Sequence, residues 1–458
     1  MTPHATIRFT AADQQRFAKL SGDFNPIHLD PMAARRVVAG EPIVHGIHLL
    51  LRALDVHLSR TPPSKRIAVT ATFLRPAFLK EPIRIESNAD GTISVRADGD
   101  IVLVVANIGT PGGPARRATA AVESEAAGGI DLRRRPRPSQ MFPRLARAVG
   151  SDVVAALAAI SQVVGMECPG RDSLLSAVRL DVTQHARAST LDWRLTRTDD
   201  RFGLVHLAIA SPAVTGTVDA FRRPQPVPLP TIAAATARVA PDEFAGQRAL
   251  IVGGSRGLGA ATAMLLAAGG GVPIVTYAAG ADEAAALRRE TRSGNRALET
   301  LRFDVTRDDV KILAEAAARF AVTHVYYFAT PRIFARRREP FDEALFARFA
   351  EFYVSAFARV CTAVRGAVPS LEVFYPSSTA VDQSIAELTE YAAAKAAGES
   401  VCRQLDRPSD GLRIVVRRLP RVATDQTTSI VHAPALDPLE AVLPIIRDMQ
   451  QLAAAASR

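Results

Sequence analysis

The chain of 458 residues is short of cysteine, tryptophan and aromatic residues in general: three Cys, one Trp, and 6% Phe, Trp and Tyr combined. Cys168, Cys361 and Cys402 lie far apart with no CxxC spacing. That pattern suggests neither a disulfide framework nor a zinc site, and it fits buried thiols in a reducing cytoplasm. No run of roughly 18 uninterrupted apolar residues exists, so no membrane span is expected. The opening MTPHATIRFT lacks the basic-then-apolar layout of a secretory leader. Hydrophobic residues at 48% and charged residues at 22% give the composition of a folded soluble protein rather than a disordered one. At this length two or three domains are expected.

Acidic residues are also in deficit, 46 Asp and Glu against 56 Lys and Arg, for a net charge of +10. A basic surface can attract phosphate-bearing ligands or an acidic carrier protein, but arginine richness in an Ala- and Arg-heavy chain is also plain composition. The runs Arg133-Arg134-Arg135 and Arg336-Arg337-Arg338 have no interleaved aromatics, and no nucleic-acid partner is expected.

Two seams divide the chain. Residues 109–129 are rich in Gly and Ala; residues 222–244 begin Pro-rich and are expected to be extended and exposed. The resulting domains are placed at 1–125, 126–230 and 240–458. The first shows a helix from Ala11 to Leu20, a longer apolar helix near HGIHLLLRALDVHL, then the alternating segments IAVTATFL, PIRIESNA, TISVRAD and IVLVVANI. Asp98-Gly99 between the last two is a hairpin signal. A sheet wrapping one helix follows. The second domain repeats that order of elements, from VVAALAAISQVVGM through SAVRLDV, LDWRLTRT, LVHLAIA and TGTVDAF, so an internal structural repeat is expected. The third alternates strand and helix from RALIVGG onward, the pattern of a doubly wound parallel sheet.

Chemistry concentrates in two places. In GGSRGLG, directly after RALIVGG, the glycines Gly253, Gly254, Gly257 and Gly259 let backbone approach a pyrophosphate at a helix N-terminus; a plain strand-to-helix turn is the bland alternative. Tyr391 and Lys395, four apart in YAAAK, share one helix face, where a nearby ammonium is expected to lower the phenol pKa. Ser378, 13 residues earlier, ends the strand LEVFYPSS. From about Phe244 onward these features, with the later LPRVAT, resemble the short-chain dehydrogenase/reductase family. The resemblance implies hydride transfer with Tyr391 as acid/base, Lys395 tuning it and binding ribose, and Ser378 holding the carbonyl oxygen. It implies cofactor contacts from Gly253, Ser255, Arg256, Gly257, Leu258, Gly259, Asp304, Val305 and Lys395. NADP(H) is expected over NAD, because the second strand ends in Thr276-Tyr277 with no acid, and Arg256 is a base for a 2′-phosphate. Two departures stand out: Tyr327-Phe328-Ala329-Thr330 replaces the family's Asn-Asn-Ala-Gly, and Phe352 or Tyr353 stands where a relay asparagine is usual.

The second place is FAKLSGDFNPIHLDPMAARR with EPIVHGIHLL. Asp23 and His28 flank an Asn-Pro turn, and a carboxylate and an imidazole near one water can activate it. Gly46 opens an apolar helix whose N–H groups suit an oxyanion; capping and surface polarity are the alternative for the pair alone. SGDxNPxHxD followed by an HG helix start resembles the MaoC-like, R-specific enoyl-CoA hydratase family, over residues 5–125. That implies a hot-dog fold in which Asp23 and His28 hold the water added to a 2-enoyl thioester, with Asn25 and Gly46 at the substrate. The second domain, reading VGMECPGRDSLLS with no Asp/His pair, is expected to be a degenerate second hot dog, and Cys168 a structural thiol. The fold expected is therefore an N-terminal α+β double hot dog followed by a C-terminal α/β Rossmann-like doubly wound parallel sheet. The function expected is a 3-ketoacyl-thioester reductase and 3-hydroxyacyl dehydratase in one chain, acting on acyl-CoA or acyl carrier protein, cytoplasmic, dimeric and without a metal. A hydratase with a nucleotide-binding but non-reducing second domain, and a non-catalytic acyl-binding scaffold, remain as alternatives.

Overall fold

In a computed structural model the residues described are 4–37, 39–58, 65–110, 126–334, 341–383, 385–428 and 433–456. The chain divides at Gln225/Pro226 into two units.

The first unit runs β1 (His4–Ile7), α1 (Ala11–Ser21), α2 (Pro26–Leu29), α3 (Pro31–Ala34), α4 (Gly46–His57), β2 (Arg66–Phe73), β3 (Ile83–Ser87), β4 (Thr92–Ala97) and β5 (Ile101–Gly109). It continues with β6 (Ala127–Asp131), α5 (Pro143–Val149), α6 (Ser151–Gln162), β7 (Ser173–Thr183), β8 (Thr190–Asp199), β9 (Leu204–Ala210) and β10 (Val214–Arg222). All ten strands form one antiparallel sheet in the order β1-β3-β4-β5-β2-β7-β10-β9-β8-β6. Read outward from the central β2/β7 pair, both sides have the same plan, β5-β4-β3-β1 and β10-β9-β8-β6. The repeat expected from the element order is therefore present in the topology. It joins the halves in one sheet around two helices, as expected of a double hot dog.

Alternation explains the layering. In β3 and β4 every second residue (Ile83, Ile85, Ile93, Val95) is fully buried and faces the core. Helix α4 has nine of its twelve residues buried, as a wrapped helix must. Against it packs α6, whose Ala155, Ala156, Ala158 and Ala159 allow close approach. A Thr10/Asp13 capping box starts α1, and Gly22 at φ 78° ends it just before Asp23.

The second unit runs α7 (Ile232–Thr236), β11 (Arg248–Val252), α8 (Gly257–Ala268), β12 (Val272–Tyr277), α9 (Ala281–Ser293), β13 (Glu299–Arg302), α10 (Lys311–Phe320) and β14 (His324–Tyr327). After these come α11 (Glu343–Ala350), α12 (Phe357–Ala367), β15 (Leu371–Ser378), α13 (Thr389–Leu405), β16 (Leu412–Leu419) and α14 (Pro438–Ala456). Six parallel strands lie in the order β13-β12-β11-β14-β15-β16. Buried on both faces, β11 sends Ala249 and Ile251 to one core with α8 and α14, and Leu250 and Val252 to the other with α12 and α13. The strand order reverses between β11 and β14, and at such a point ligands meet the carboxyl ends of the strands.

The second seam differs from expectation. Its start is Pro-rich, but Thr231 caps α7, whose Ile232 and Ala235 are buried against α8. An apolar Ile-Ala run with a threonine cap is a helix start, which the proline content obscured. Residues 111–125 of the first seam and Arg336–Arg338 lie outside the described residues. Among the described residues no single helix is long and apolar enough to cross a membrane.

Candidate active sites

Asp23 sits in the loop between α1 and α2 with its carboxylate buried. One oxygen accepts the Asn25 N–H (3.0 Å) and the other the Ser161 hydroxyl of α6 (2.7 Å). Asn25 caps α2 through its Oδ1 and turns its amide N–H onto the carbonyl of Arg171 (3.0 Å). His28 donates from Nδ1 to the carbonyl of Ile43 (2.8 Å), which leaves Nε2 as the bare lone pair. Its ring stacks on His45, centroids 3.8 Å apart. His45 in turn has Nδ1 2.8 Å from Gln14 Oε1 and Nε2 3.1 Å from the Asp23 carbonyl, to one of which its neutral ring donates, and Gln14 donates onward to His48 (3.2 Å). Gly46, next in line, is the first residue of α4. A Cβ there would lie 3.1 Å from Leu175 and 3.3 Å from Phe73, so the helix start packs closely on apolar side chains of β2 and β7.

Asp23, Asn25, His28 and Gly46 are thus brought together as the motif implied. Three further residues went unrecognised as site residues in the sequence: Ser161, Gln14 and Arg223. Ser161 and Arg223 come from the half that carries no Asp/His pair. Nothing marks them locally; only the position of α6 against α1 and of β10 against β7 delivers them.

Burial raises the Asp23 pKa, with His28, Ser161 and Asn25 pulling the other way. Burial likewise lowers His28, opposed by Asp23 and reinforced by Arg223, and it holds His45 well below its ordinary value. Asp23, His28 and His45 offer donor atoms within 4.8 Å of one another.

In the second unit Gly253, Gly257 and Gly259 form the turn into α8. A Cβ on Gly253 would meet Ala329 N at 2.7 Å, and one on Gly259 would meet Gly254 Cα at 2.6 Å, so only glycine fits. Thr276 pins the turn, its hydroxyl and carbonyl accepting from Gly253 and Gly254. No side chain caps the start of α8, so its leading N–H groups are of the kind a pyrophosphate uses. Leu258 packs into the core behind the turn, and Ser255 is buried beside Gly280. Asp304, beyond β13, binds the backbone and hydroxyl of its own Thr306, and Val305 is buried. Arg256 is ion-paired to Asp425 (3.4 Å), with its side chain 24% exposed.

Ser378 ends β15 and hydrogen-bonds the Tyr391 phenol, and Tyr391 and Lys395 follow one turn apart on α13. The expected lowering of the phenol pKa does not occur: burial pushes Tyr391 up to about 12, with Ser378 alone opposing. The ammonium is turned elsewhere. Lys395 donates to the Pro376 carbonyl (2.6 Å) and sits 3.9 Å from the Tyr353 ring centroid but 5.8 Å from that of Tyr391. Burial lowers its own pKa to about 7. Of the two residues at the relay position, Tyr353 is the one on Lys395, and its hydroxyl bonds Thr330 (2.5 Å).

Comparison with known proteins follows this division. The family model for a MaoC-like domain matches residues 2–106, and that for a short chain dehydrogenase matches residues 247–434. An (R)-specific enoyl-CoA hydratase of Aeromonas caviae is 35% identical over 109 residues, covering 23% of this chain and 78% of that protein. A peroxisomal multifunctional enzyme type 2 of Drosophila melanogaster is 33% identical over 94 residues, 20% of this chain but 16% of that protein. This chain therefore spans most of the bacterial hydratase and under a fifth of the insect enzyme. A 3-oxoacyl (acyl-carrier-protein) reductase from Agrobacterium tumefaciens solved with NADP shares 20% identity, covering 45% of this chain and 89% of that one, with a TM-score of 0.40.

Proposed function

The chain belongs to the MaoC-like hydratase family through its N-terminal unit and carries a short-chain dehydrogenase domain in the other; from that premise we propose a bifunctional enzyme of acyl thioesters. The reductase domain delivers hydride from NADPH to the carbonyl of a 3-ketoacyl thioester. The hydratase domain interconverts the 3-hydroxyacyl product with the trans-2-enoyl thioester. The acyl group rides on coenzyme A or a carrier protein, and the working form is a homodimer in a reducing, cytoplasmic setting, in keeping with three buried free thiols.

The observation that carries the reading is the approach of the Asp23 carboxylate to within 4.8 Å of a ring nitrogen of His28, beside the start of α4. A water between them is oriented by the carboxylate and loses its proton to the imidazole. Its oxygen bonds to C3 while C2 takes up a proton, and dehydration runs the same bonds backward. The Gly46 N–H faces the charge that develops on the thioester oxygen. In the second unit a nicotinamide supplies hydride when bound, Tyr391 gives the proton and Ser378 holds the carbonyl oxygen. For a 2′-phosphate to meet Arg256, the Asp425 pair must open.

A second reading, hydratase with a nucleotide-binding but non-reducing domain, is favoured by one observation: Lys395 is engaged by Tyr353 and Pro376 while the Tyr391 phenol stays protonated up to about 12. The test supplies 3-ketoacyl thioesters of several chain lengths with NADPH. NADPH oxidation and enoyl product are expected, and Tyr391→Phe should abolish the first without slowing hydration of an enoyl thioester added directly. NADPH oxidation that is absent from the wild type while hydration persists selects the second reading, and oxidation that survives Tyr391→Phe removes Tyr391 from the acid role. Absence of both reactions rejects the proposal.

A further inference from the structure

Arg223 stands just past β10, in the seam that sequence alone assigns to a linker. Its guanidinium is buried, 11% exposed. Nη2 donates to the carbonyl of Arg171 (2.9 Å) and pairs with Asp172 (3.1 Å), and the backbone N–H of Arg223 donates to the Asp172 carbonyl. The Arg171 carbonyl is the same oxygen that receives the Asn25 amide, and Asn25 is the residue whose N–H holds Asp23. The other guanidinium nitrogens, Nε and Nη1, are buried with no acceptor among the described residues. A buried cation with unmatched donors costs stability. Its retention beside a carboxylate and two imidazoles needs a reason other than folding.

We infer that Arg223 is a positioning residue of the Asp23/His28 site: it fixes the Arg171 corner on which Asn25 and Asp23 are hung, and its guanidinium, paired with Asp172, keeps a positive charge in the neighbourhood of His28. The inference rests on the hydratase reading of that site. It also gives the second half a part in the chemistry beyond completing the sheet. The charged and titratable groups bearing on His28 are Asp23 from the α1–α2 loop, His45 from the start of α4, His48 one turn further on, and Arg223 with its partner Asp172. Among them Arg223 and burial both favour the neutral imidazole, against Asp23. The neutral ring is the form with a lone pair at Nε2.

The experiment compares wild type, Arg223→Met and Arg223→Lys in full-length protein, by hydration of a 2-enoyl-CoA between pH 5 and 9 and by thermal melting. For Arg223→Met, kcat should fall roughly tenfold at the plateau, and the acid limb should move to higher pH because His28 then takes a proton more readily. Its melting temperature should hold, since the incompletely partnered charge is gone and Asp172, 35% exposed, is solvated once unpaired. Arg223→Lys should return the acid limb to the wild-type position. A purely structural arginine predicts the reverse, with activity and melting temperature falling together and the limb unmoved. That result, or unchanged kinetics in an active enzyme, overturns the inference. A wild type with no hydration at any pH would instead bring down the proposed function itself.

Discussion

Replacing Gly165 with alanine tests the clamp on Asp23 from the side of the molecule that has no catalytic motif. Gly165 lies in a π-helical turn, Val163–Glu167, that continues α6. A Cβ built on it stands 2.5 Å from Asp23 Oδ1 and 2.7 Å from Oδ2, where ordinary contact begins near 3.4 Å. The carboxylate must therefore retreat by roughly 0.9 Å, the difference between 3.4 and 2.5. Its bonds from Asn25 N (3.0 Å) and Ser161 Oγ (2.7 Å) cannot both survive that movement. Gly→Ala inside a helix ordinarily gains up to about 1 kcal/mol. Here overpacking should cost about 1–3 kcal/mol instead, lowering the melting temperature of the first unit by roughly 3–10 °C. The catalytic cost is larger, because a misplacement of about 1 Å reduces rate on the order of 100-fold. The assay is loss of the enoyl-thioester absorbance on hydration, with NADPH oxidation on a ketoacyl thioester as a control in the other unit. A Gly165→Ala enzyme that hydrates within about twofold of wild type would show that the Asp23 position does not govern the reaction.

Ser161→Ala removes a charge-assisted donor worth about 1.5–3 kcal/mol to the Asp23 carboxylate. The Asp23 pKa then rises further, so hydratase activity should fall by about tenfold or more and be lost at a higher pH on the acid side, read from a pH–rate profile. Lys395, lowered to about 7, sheds its proton as pH rises through neutrality. Reduction should therefore decline above about pH 7, and a rate that stays flat to alkaline pH would contradict the burial argument. His48 has a folded pKa of about 3 against an ordinary 6.5. The unfolded chain binds the proton first, so stability from this group is present above 6.5 and lost as pH falls toward 3, amounting to about 2–3 kcal/mol by pH 4.5. His48→Phe, which keeps the stack on Phe17, should flatten the drop in melting temperature between pH 7 and 4.5.

The parts of this molecule legible in the sequence are those set by local pattern. Period-two alternation marked β2 through β5, the Asp98-Gly99 hairpin marked their connection, and the glycine spacing after RALIVGG marked the turn into α8. Asp23, Asn25, His28 and Gly46 were readable because they lie within a short stretch whose turns and caps bring them near one another. Ser161 and Arg223 were not, since each reaches the site only through packing between halves more than a hundred residues apart in the chain. The Tyr391 pKa failed for a related reason. Helical spacing places Lys395 on the same face, but it cannot say that a tyrosine ring from a π-helical turn, Glu351–Ala356, will lie 3.9 Å from that ammonium, nearer than the Tyr391 ring.

The pseudo-symmetry of the ten-stranded sheet explains how one half can lack an Asp/His pair and still be required. Two identical halves would present two sites, each bounded by the other half's central helix. In this chain α6 occupies the place that α4 holds, yet it carries Ser161 and Gly165 toward Asp23 instead of receiving a substrate at its own start. A glycine where any side chain would strike the carboxylate, a hydroxyl bonded to that carboxylate, and an arginine sharing a carbonyl with Asn25 make three independent fits to the same small volume. On the proposed function, such a half serves as the far wall of the hydratase site. Substitutions there should therefore resemble active-site mutations in their kinetics, leaving KM nearly unchanged while kcat falls, because they move Asp23 and His28 without touching the residues packed around Gly46.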